Sequence, residues 1–175
     1  MGETTKRAES MKHRYEELRQ KRGTWDGHYR EVAKYVFPEQ DDFWQTFNNS
    51  SHGERKNQWN FDATAPKALI RFSSIMDSLL TPRSQTWHGL QAENLELRED
   101  RETQLYFDEV TRRLFQQRYA PKANFQSQIN ETFMSLGGFG TGAVFIDRKA
   151  GEGIRYKSCF IGDIYIDVNF QGMVD

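Results

Sequence analysis

The sequence is poor in cysteine and proline, and it contains no long apolar run. Its 175 residues include one cysteine, Cys159, and four prolines. A single cysteine cannot form an internal disulfide or a multi-cysteine metal site, so a disulfide-built scaffold is excluded. The sequence also lacks a stretch of about 18 consecutive apolar residues, which excludes the usual signature of a membrane-spanning helix.

The sequence also has no excess of positive or negative charge. The 24 Lys and Arg residues face 25 Asp and Glu residues, and the formal net charge is -1. This balance does not favour strong general attraction to nucleic acid or to acidic membranes. Aromatic residues, by contrast, are abundant at 14% of the chain. Disorder throughout the chain is therefore excluded, because disordered chains are poor in aromatics.

The charged N-terminal segment carries a helical stripe. Ala8, Met11, Tyr15 and Leu18 recur at steps of three and four, which predicts an amphipathic helical arm over residues 1–22. Gly23 predicts an interruption of this helix. A second helix is expected to begin near residue 24 and to end before residue 38, where proline disfavours helix in the preceding residue.

The segment 38–61 is predicted to be a long loop, and long loops inside compact domains are often functional. Phe43, Trp44 and Phe47 lie in it. Aromatic residues often anchor interfaces, so these three, together with Met11 and Tyr15 on the arm, are candidate subunit-interface residues. Packing of the loop aromatics onto their own domain is an equally weighted alternative.

Three further helices are predicted, over residues 64–80, over residues 101–119 and after Asn124, each from an apolar stripe of helical period. A short strand is expected over residues 87–91. The expected core includes Trp25, Phe72, Leu79 and Phe133.

Glycines cluster after the last predicted helix. Gly140 and Gly142 are expected to form a structural turn from helix to strand. Strands are then predicted over residues 143–147, 154–160 and 161–168, and residues 173–174 resemble the start of another. The fold class is therefore predicted to be α+β, with N-terminal helices followed by an antiparallel β-meander. The expected division is an arm over 1–22, a mainly helical body over 23–142 and the start of a sheet over 143–175. Because the last hairpin is begun and not completed, we expect the sheet to be truncated.

Sequence motifs that are typical of catalytic, cofactor-binding or metal sites match this chain poorly. The glycine cluster lacks the Gly-Lys-Ser/Thr of a phosphate-binding loop, and it follows a helix instead of preceding one. The four histidines have no metal-ligand spacing. Cys159 lies in a predicted strand, where a buried structural thiol is expected. We therefore expect no enzyme activity, no cofactor and no metal.

Nucleic-acid binding is the alternative function. Residues 1–35 hold nine Lys and Arg residues against six Asp and Glu residues, an excess of +3. Aromatic side chains such as Tyr15 and Trp25 lie among them. A small nucleic-acid-binding or packaging accessory protein would show this pattern, although pairs within the helix explain it too.

Four segments in order give the chain a family resemblance. They are Trp25-Asp26-x-x-Tyr29 leading to Val36-Phe37-Pro38, then Asp62-Ala63-Thr64-Ala65, then Leu80-Thr81-Pro82-Arg83 with Trp87-His88-Gly89-Leu90, and finally Asn124-Phe125 with Phe139-Gly140-Thr141-Gly142-Ala143. Across nearly all 175 residues the chain resembles the N-terminal part of the head-to-tail connector, or portal, proteins of T7-like short-tailed bacteriophages. Proteins of that family are several times longer, so the resemblance does not imply that this chain alone forms a ring.

The resemblance implies a structural virion protein without catalysis. Residues 23–142 would correspond to the wing region of a portal subunit. Members of the family form a twelve-fold ring at the unique capsid vertex, where DNA is packaged and ejected and the tail attaches. The implied partners are further copies of the chain, capsid, tail-adaptor and scaffolding proteins, the terminase motor and double-stranded DNA that passes without sequence recognition. The implied location is the virion, assembled in the host cytoplasm.

Overall fold

A computed structural model describes residues 2–38, 61–151 and 153–174. Helices precede strands, as the sequence predicts, and the fold class is α+β. The helices are α1 (Gly2–Val36), α2 (Thr64–Leu80), α3 (Leu95–Glu99), α4 (Arg101–Arg118) and α5 (Phe125–Phe139); the strands are β1 (Ala143–Lys149) and β2 (Gly153–Cys159), followed by a 3-10 turn (Ile161–Asp163).

The main core forms where the second half of α1 meets α2, α5 and the 3-10 turn. Its buried members are Ala33, Phe37, Leu69, Phe139 and Ile161. The ring of Phe139 lies edge-on to Tyr29 and stacks on Phe37, with ring centroids 5.8 and 6.4 Å apart. Helix α5 thus joins the N-terminal helix to the chain that follows the sheet.

The sheet is a single antiparallel hairpin. Its register runs from Ala143 opposite Cys159 to Lys149 opposite Gly153. Two hydrogen bonds from its backbone fix it to α5 and to the residues before that helix: the Ser158 amide donates to Gln128 Oε1 at 2.6 Å and the Tyr156 amide donates to the Ala123 carbonyl at 3.1 Å. The predicted strand pair over residues 143–147 and 154–160 is therefore confirmed.

Helix α1 does not stop at Gly23, where an interruption was predicted. It runs unbroken over 35 residues, about 52 Å at about 1.5 Å per residue. One glycine in a helix interior costs only about 1 kcal/mol relative to alanine. Contacts of the second half of α1 with the core outweigh that cost.

Two predicted strands are wrong. Residues 87–91 are irregular, because the Leu90 amide donates to the Thr111 side chain on α4 at 3.1 Å instead of to a neighbouring strand. Residues 161–168 begin with the 3-10 turn and continue as extended chain. Near the end of that segment, Val168 and Val174 form one antiparallel bridge across the turn predicted at residues 169–172.

Of the four residues predicted to lie in the core, Phe133 is buried, at 8% exposure, and the other three are exposed. Trp25 is 59% exposed, Leu79 is 71% exposed and Phe72 is 39% exposed. The face of α2 that packs inward carries Leu69 and Ser73. Leu79 lies farther round that helix, on its exposed side. Phe72 lies at the edge of the inward face, where a Cβ placed on Gly137 of α5 would be 2.7 Å from its ring.

Candidate assembly interface

No metal-binding cluster is found in the part of the chain that the structure describes: no three His, Cys, Asp or Glu side chains there could hold one ion. No helix in the same residues is long and apolar enough to cross a membrane. The candidate functional features of the described residues are surfaces and the contacts that position them.

A long stretch in the first half of α1 is exposed. Every residue from 6 to 17 is exposed, including the predicted interface residues Met11 at 62% and Tyr15 at 47%. Tyr15 lies where the helix leaves the body of the molecule, and its ring meets Tyr165 edge-on with centroids 5.0 Å apart. The structure thus places Met11 and Tyr15 together on one uncovered helix face.

Arg22 holds the second half of α1 against the chain after the sheet. Its Nη1 donates to the carbonyls of Ile161 at 3.2 Å and Ile164 at 2.7 Å. Its Nη2 donates to the Tyr165 hydroxyl at 3.2 Å, and its guanidinium carbon lies 3.9 Å from the centre of that ring. Four contacts from one side chain therefore fix residues 161–165 on α1.

An ion pair orients the Arg22 side chain. Its Nε lies 2.8 Å from Oδ1 of Asp26, one turn along the helix, and both side chains are mostly buried. A neighbouring pair, Lys21 with Asp167 at 3.3 Å, is more exposed. Beside these contacts lies a cavity of about 310 Å³, lined in part by Trp25, Tyr29 and Tyr165. These residues were not predicted as a site, because the contacts join positions more than 130 residues apart in sequence.

The predicted interface residues Phe43, Trp44 and Phe47 lie outside the described residues. On either side of their segment, Pro38 and Asp62 line an apolar groove of about 430 Å³ that reaches Leu69 and Met134.

Gly140 and Gly142 occupy two different environments. Gly140 follows α5 in the left-handed conformation, with φ of 76°, and its amide donates to the Leu136 carbonyl. Gly142 passes close to α5, since a Cβ placed on it would lie 2.7 Å from the Thr132 carbonyl oxygen. Gly137 and Gly138 belong to α5 itself.

A second cluster, which the sequence did not reveal, surrounds Arg118 on α4. The guanidinium lies 4.7 Å from the Trp87 ring centre and donates to Nδ1 of His88 at 3.2 Å. Trp87 in turn donates from its indole nitrogen to the Tyr119 hydroxyl at 3.0 Å, and that hydroxyl donates to the Thr81 carbonyl at 2.8 Å. These contacts fix the irregular chain over residues 81–90 on α4.

Because arginine can only donate, Nδ1 of His88 must accept, and the neutral ring carries its hydrogen on Nε2. Burial lowers the pKa of His88 below its ordinary value, and the positive charge of Arg118 lowers it further. The ring stacks on Phe115, with centroids 5.9 Å apart. The imidazole therefore acts as a neutral packing and accepting group.

Other exposed apolar side chains lie on α3 and α4. Leu95 and Leu97 on α3 are 71% and 49% exposed, and Leu105 on α4 is 60% exposed. The segment over residues 93–102, which contains both leucines of α3, is acidic, with five Asp and Glu residues against two Arg residues.

Comparison with known proteins identifies the protein family to which this chain belongs. The sequence pattern of the family described as "Bacteriophage head to tail connecting protein" matches residues 8–175. The chain belongs to this family of bacteriophage head to tail connecting proteins, which confirms the resemblance stated from the sequence.

Two curated relatives cover the whole chain. A "Probable portal protein" of Bordetella phage BPP-1 is 25% identical over 175 residues, which are 100% of this chain and 31% of that protein. A "Portal protein" of Salmonella phage epsilon15 is also 25% identical over 175 residues, 30% of its length. The chain thus spans about a third of the length of the curated relatives it matches.

Proposed function

We propose that this chain is part of a structural virion protein, a subunit of the portal ring at the unique capsid vertex. DNA is packaged and ejected through that ring, and the tail attaches to it. The observation that carries this proposal is the family match over residues 8–175, joined by two relatives named as portal proteins. The proposed role is structural and involves no catalytic step.

A closed ring needs heterologous contacts, in which two different patches of each chain meet. The uncovered face of α1 with Met11 and Tyr15 supports such a contact. We place Phe43, Trp44 and Phe47 in the subunit interface as well, since aromatic side chains often anchor interfaces. The proposed ring contains twelve copies, as the family resemblance implies.

Further proposed partners are capsid, tail-adaptor and scaffolding proteins, the terminase motor and double-stranded DNA that passes without sequence recognition. The formal net charge of -1 supports passage without retention, because strong DNA binding depends on neutralising phosphates with Lys and Arg. The proposed location is the virion, after assembly in the host cytoplasm.

An imaging experiment on virions tests this role. An epitope tag is inserted into the gene product that contains this chain, and tagged virions whose capsids have been opened are labelled with gold-conjugated antibody. Labelling at one vertex per capsid is expected. Labelling of many vertices, or of the capsid faces, would show a different structural role, and labelling only of unassembled protein would show an accessory protein.

A further inference from the structure

The sheet is open along the outer edge of β1. On β2, the amides of Tyr156 and Ser158 donate to α5 and to the residues before it, so both amides are turned away from β1. Their cross-strand partners are Ile146 and Val144. In an antiparallel pair of this kind, both residues direct their backbone groups away from each other. The amides and carbonyls of Val144 and Ile146 therefore point away from β2, and no hydrogen bond joins them to another described residue.

The open part of this edge is short and apolar. Towards the turn the edge is closed, because the Arg148 amide donates to Oδ1 of Asp147 at 2.7 Å. Phe145 and Ile146 are 58% and 61% exposed, and they lie on opposite faces of the strand. Proteins usually protect such an edge with a charged side chain, a proline or a bulge, and residues 143–146 supply none of these. An unprotected apolar edge is a template for another strand.

The opposite edge of the sheet is already occupied. There β2 lies against α5, to which the Ser158 amide is bonded. The ring of Tyr156 meets Phe125 of α5 edge-on, with centroids 4.9 Å apart. Within the described residues, the sheet can therefore be extended only at β1.

The length of the relatives favours a strand from the same gene product. The chain spans about a third of the curated relatives it matches, so a subunit of that length offers many residues outside this chain. Pairing within one chain is governed by an effective concentration and does not depend on how many copies are present. A second copy is the less suitable occupant, because subunits with open apolar edges would pair edge to edge before assembly.

We infer that β1 pairs through Val144 and Ile146 with an extended segment of the same gene product that lies outside these 175 residues. This inference rests on the proposed function, since it requires this chain to be part of a longer portal subunit. Side chains of neighbouring strands lie side by side on each face of a sheet. The segment therefore carries apolar side chains next to Phe145 on one face and next to Ile146 on the other. The expected partner is a short, continuous apolar run in extended conformation.

Hydrogen exchange at single-residue resolution tests the pairing on the purified gene product, with no other phage protein present. The amides of Phe145 and Asp147 point towards β2 and provide the matched reference within the same strand. We expect the amides of Val144 and Ile146 to exchange within about tenfold of these two. A larger difference would show that the edge is open, and fast exchange of all four amides would contradict the pairing as well.

Two substitutions at one position separate the backbone bond from the side chain. Ile146→Pro removes the outward amide, and proline is tolerated where the N–H of an edge strand faces solvent. Ile146→Ala keeps that amide and removes only an exposed side chain. We expect the Val144 amide to exchange several-fold faster in the Ile146→Pro variant than in the Ile146→Ala variant, while the Phe145 amide stays slow in both. Equal rates at Val144 would contradict a third strand, and if Phe145 also became fast, the rates in the unchanged protein would decide.

Photochemical crosslinking identifies the source of the strand. A benzophenone is attached to Ile146→Cys protein in which all other cysteines are replaced by serine. We expect a product with the mass of a single chain, in which position 146 is joined to a residue outside these 175. A product of two chains would assign the edge to a second copy and overturn the inference, as would a crosslink only within these 175 residues or no crosslink at all.

Electron microscopy of the same samples separates this inference from the proposed function. Closed rings whose β1 edge is open contradict the third strand alone. A paired edge in a gene product that forms no rings contradicts the proposed function.

Discussion

At the scale of single residues, Arg22 joins the second half of α1 to the chain that follows the sheet. It binds two carbonyls and one hydroxyl of residues 161–165 and pairs with Asp26, which is 6% exposed. Carbonyls that have no strand partner are satisfied in this way by an arginine far away in sequence. The strand predicted over residues 161–168 was wrong for this reason.

Arg22→Ala should lower the free energy of unfolding by about 3 kcal/mol, because it leaves the Asp26 carboxylate buried without its charge partner. Lys21→Ala removes an exposed pair next to it and should cost less than about 1 kcal/mol. Urea denaturation measures both values. Hydrogen exchange should also speed up over residues 161–165 in the Arg22 variant, and equal losses in the two variants would contradict this role.

His88 predicts a dependence of stability on pH. Its pKa is lowered in the folded protein, by burial first and by Arg118 second. The unfolded chain takes up the proton at the ordinary pKa of about 6.5, whereas the folded protein resists it. The contribution of His88 to the free energy of unfolding should therefore be constant above pH 6.5. It should fall as the pH drops towards the folded-state pKa.

Urea midpoints between pH 8 and pH 5 provide the measurement. The His88→Gln variant should lose less stability at low pH than the unchanged protein, because it has no imidazole at position 88 to protonate. The His13→Gln variant, changed at an exposed histidine, should keep that loss. If the unchanged protein and both variants lost the same stability at low pH, His88 would not be the source of that loss.

At the scale of elements, the helices could be predicted from the sequence far better than the segments between them. The stripes over residues 64–80 and 101–119 predict α2 and α4 to within one residue, because helical period is a local pattern. The irregular chain near Trp87 could not be predicted, since its conformation depends on side-chain contacts with α4. The exposed side of α2 was mistaken for core for a related reason: an apolar stripe does not show which of its members another element covers.

Helix α1 offers a direct test of how a glycine affects an element. A Cβ on Gly23 would meet nothing within 4 Å. Gly23→Ala should therefore raise the free energy of unfolding by about 1 kcal/mol through helix propensity alone. Gly140→Ala should have the opposite sign and cost about 1 to 2 kcal/mol, because position 140 has a positive φ.

Thermal denaturation followed by circular dichroism compares the two variants. The account of α1 as one continuous helix would be contradicted if Gly23→Ala destabilised the protein.

At the scale of the whole molecule, exposed apolar side chains lie on different elements. Met11 and Tyr15 are exposed on α1, and Leu95 and Leu97 are exposed on α3. The helical stripe that carries Met11 and Tyr15 could be predicted from the sequence, and their place in a subunit interface stays a prediction. Helix α3 could not be predicted, since a five-residue helix carries no clear period, and the exposure of its leucines becomes evident only in the fold.

The central claim is that the gene product containing this chain assembles into a closed ring. Negative-stain electron microscopy of the purified gene product tests it most directly. The account predicts closed rings with a central hole and a single number of subunits, which class averages would give. A population that stays monomeric under all assembly conditions, or that forms open filaments, would contradict the claim.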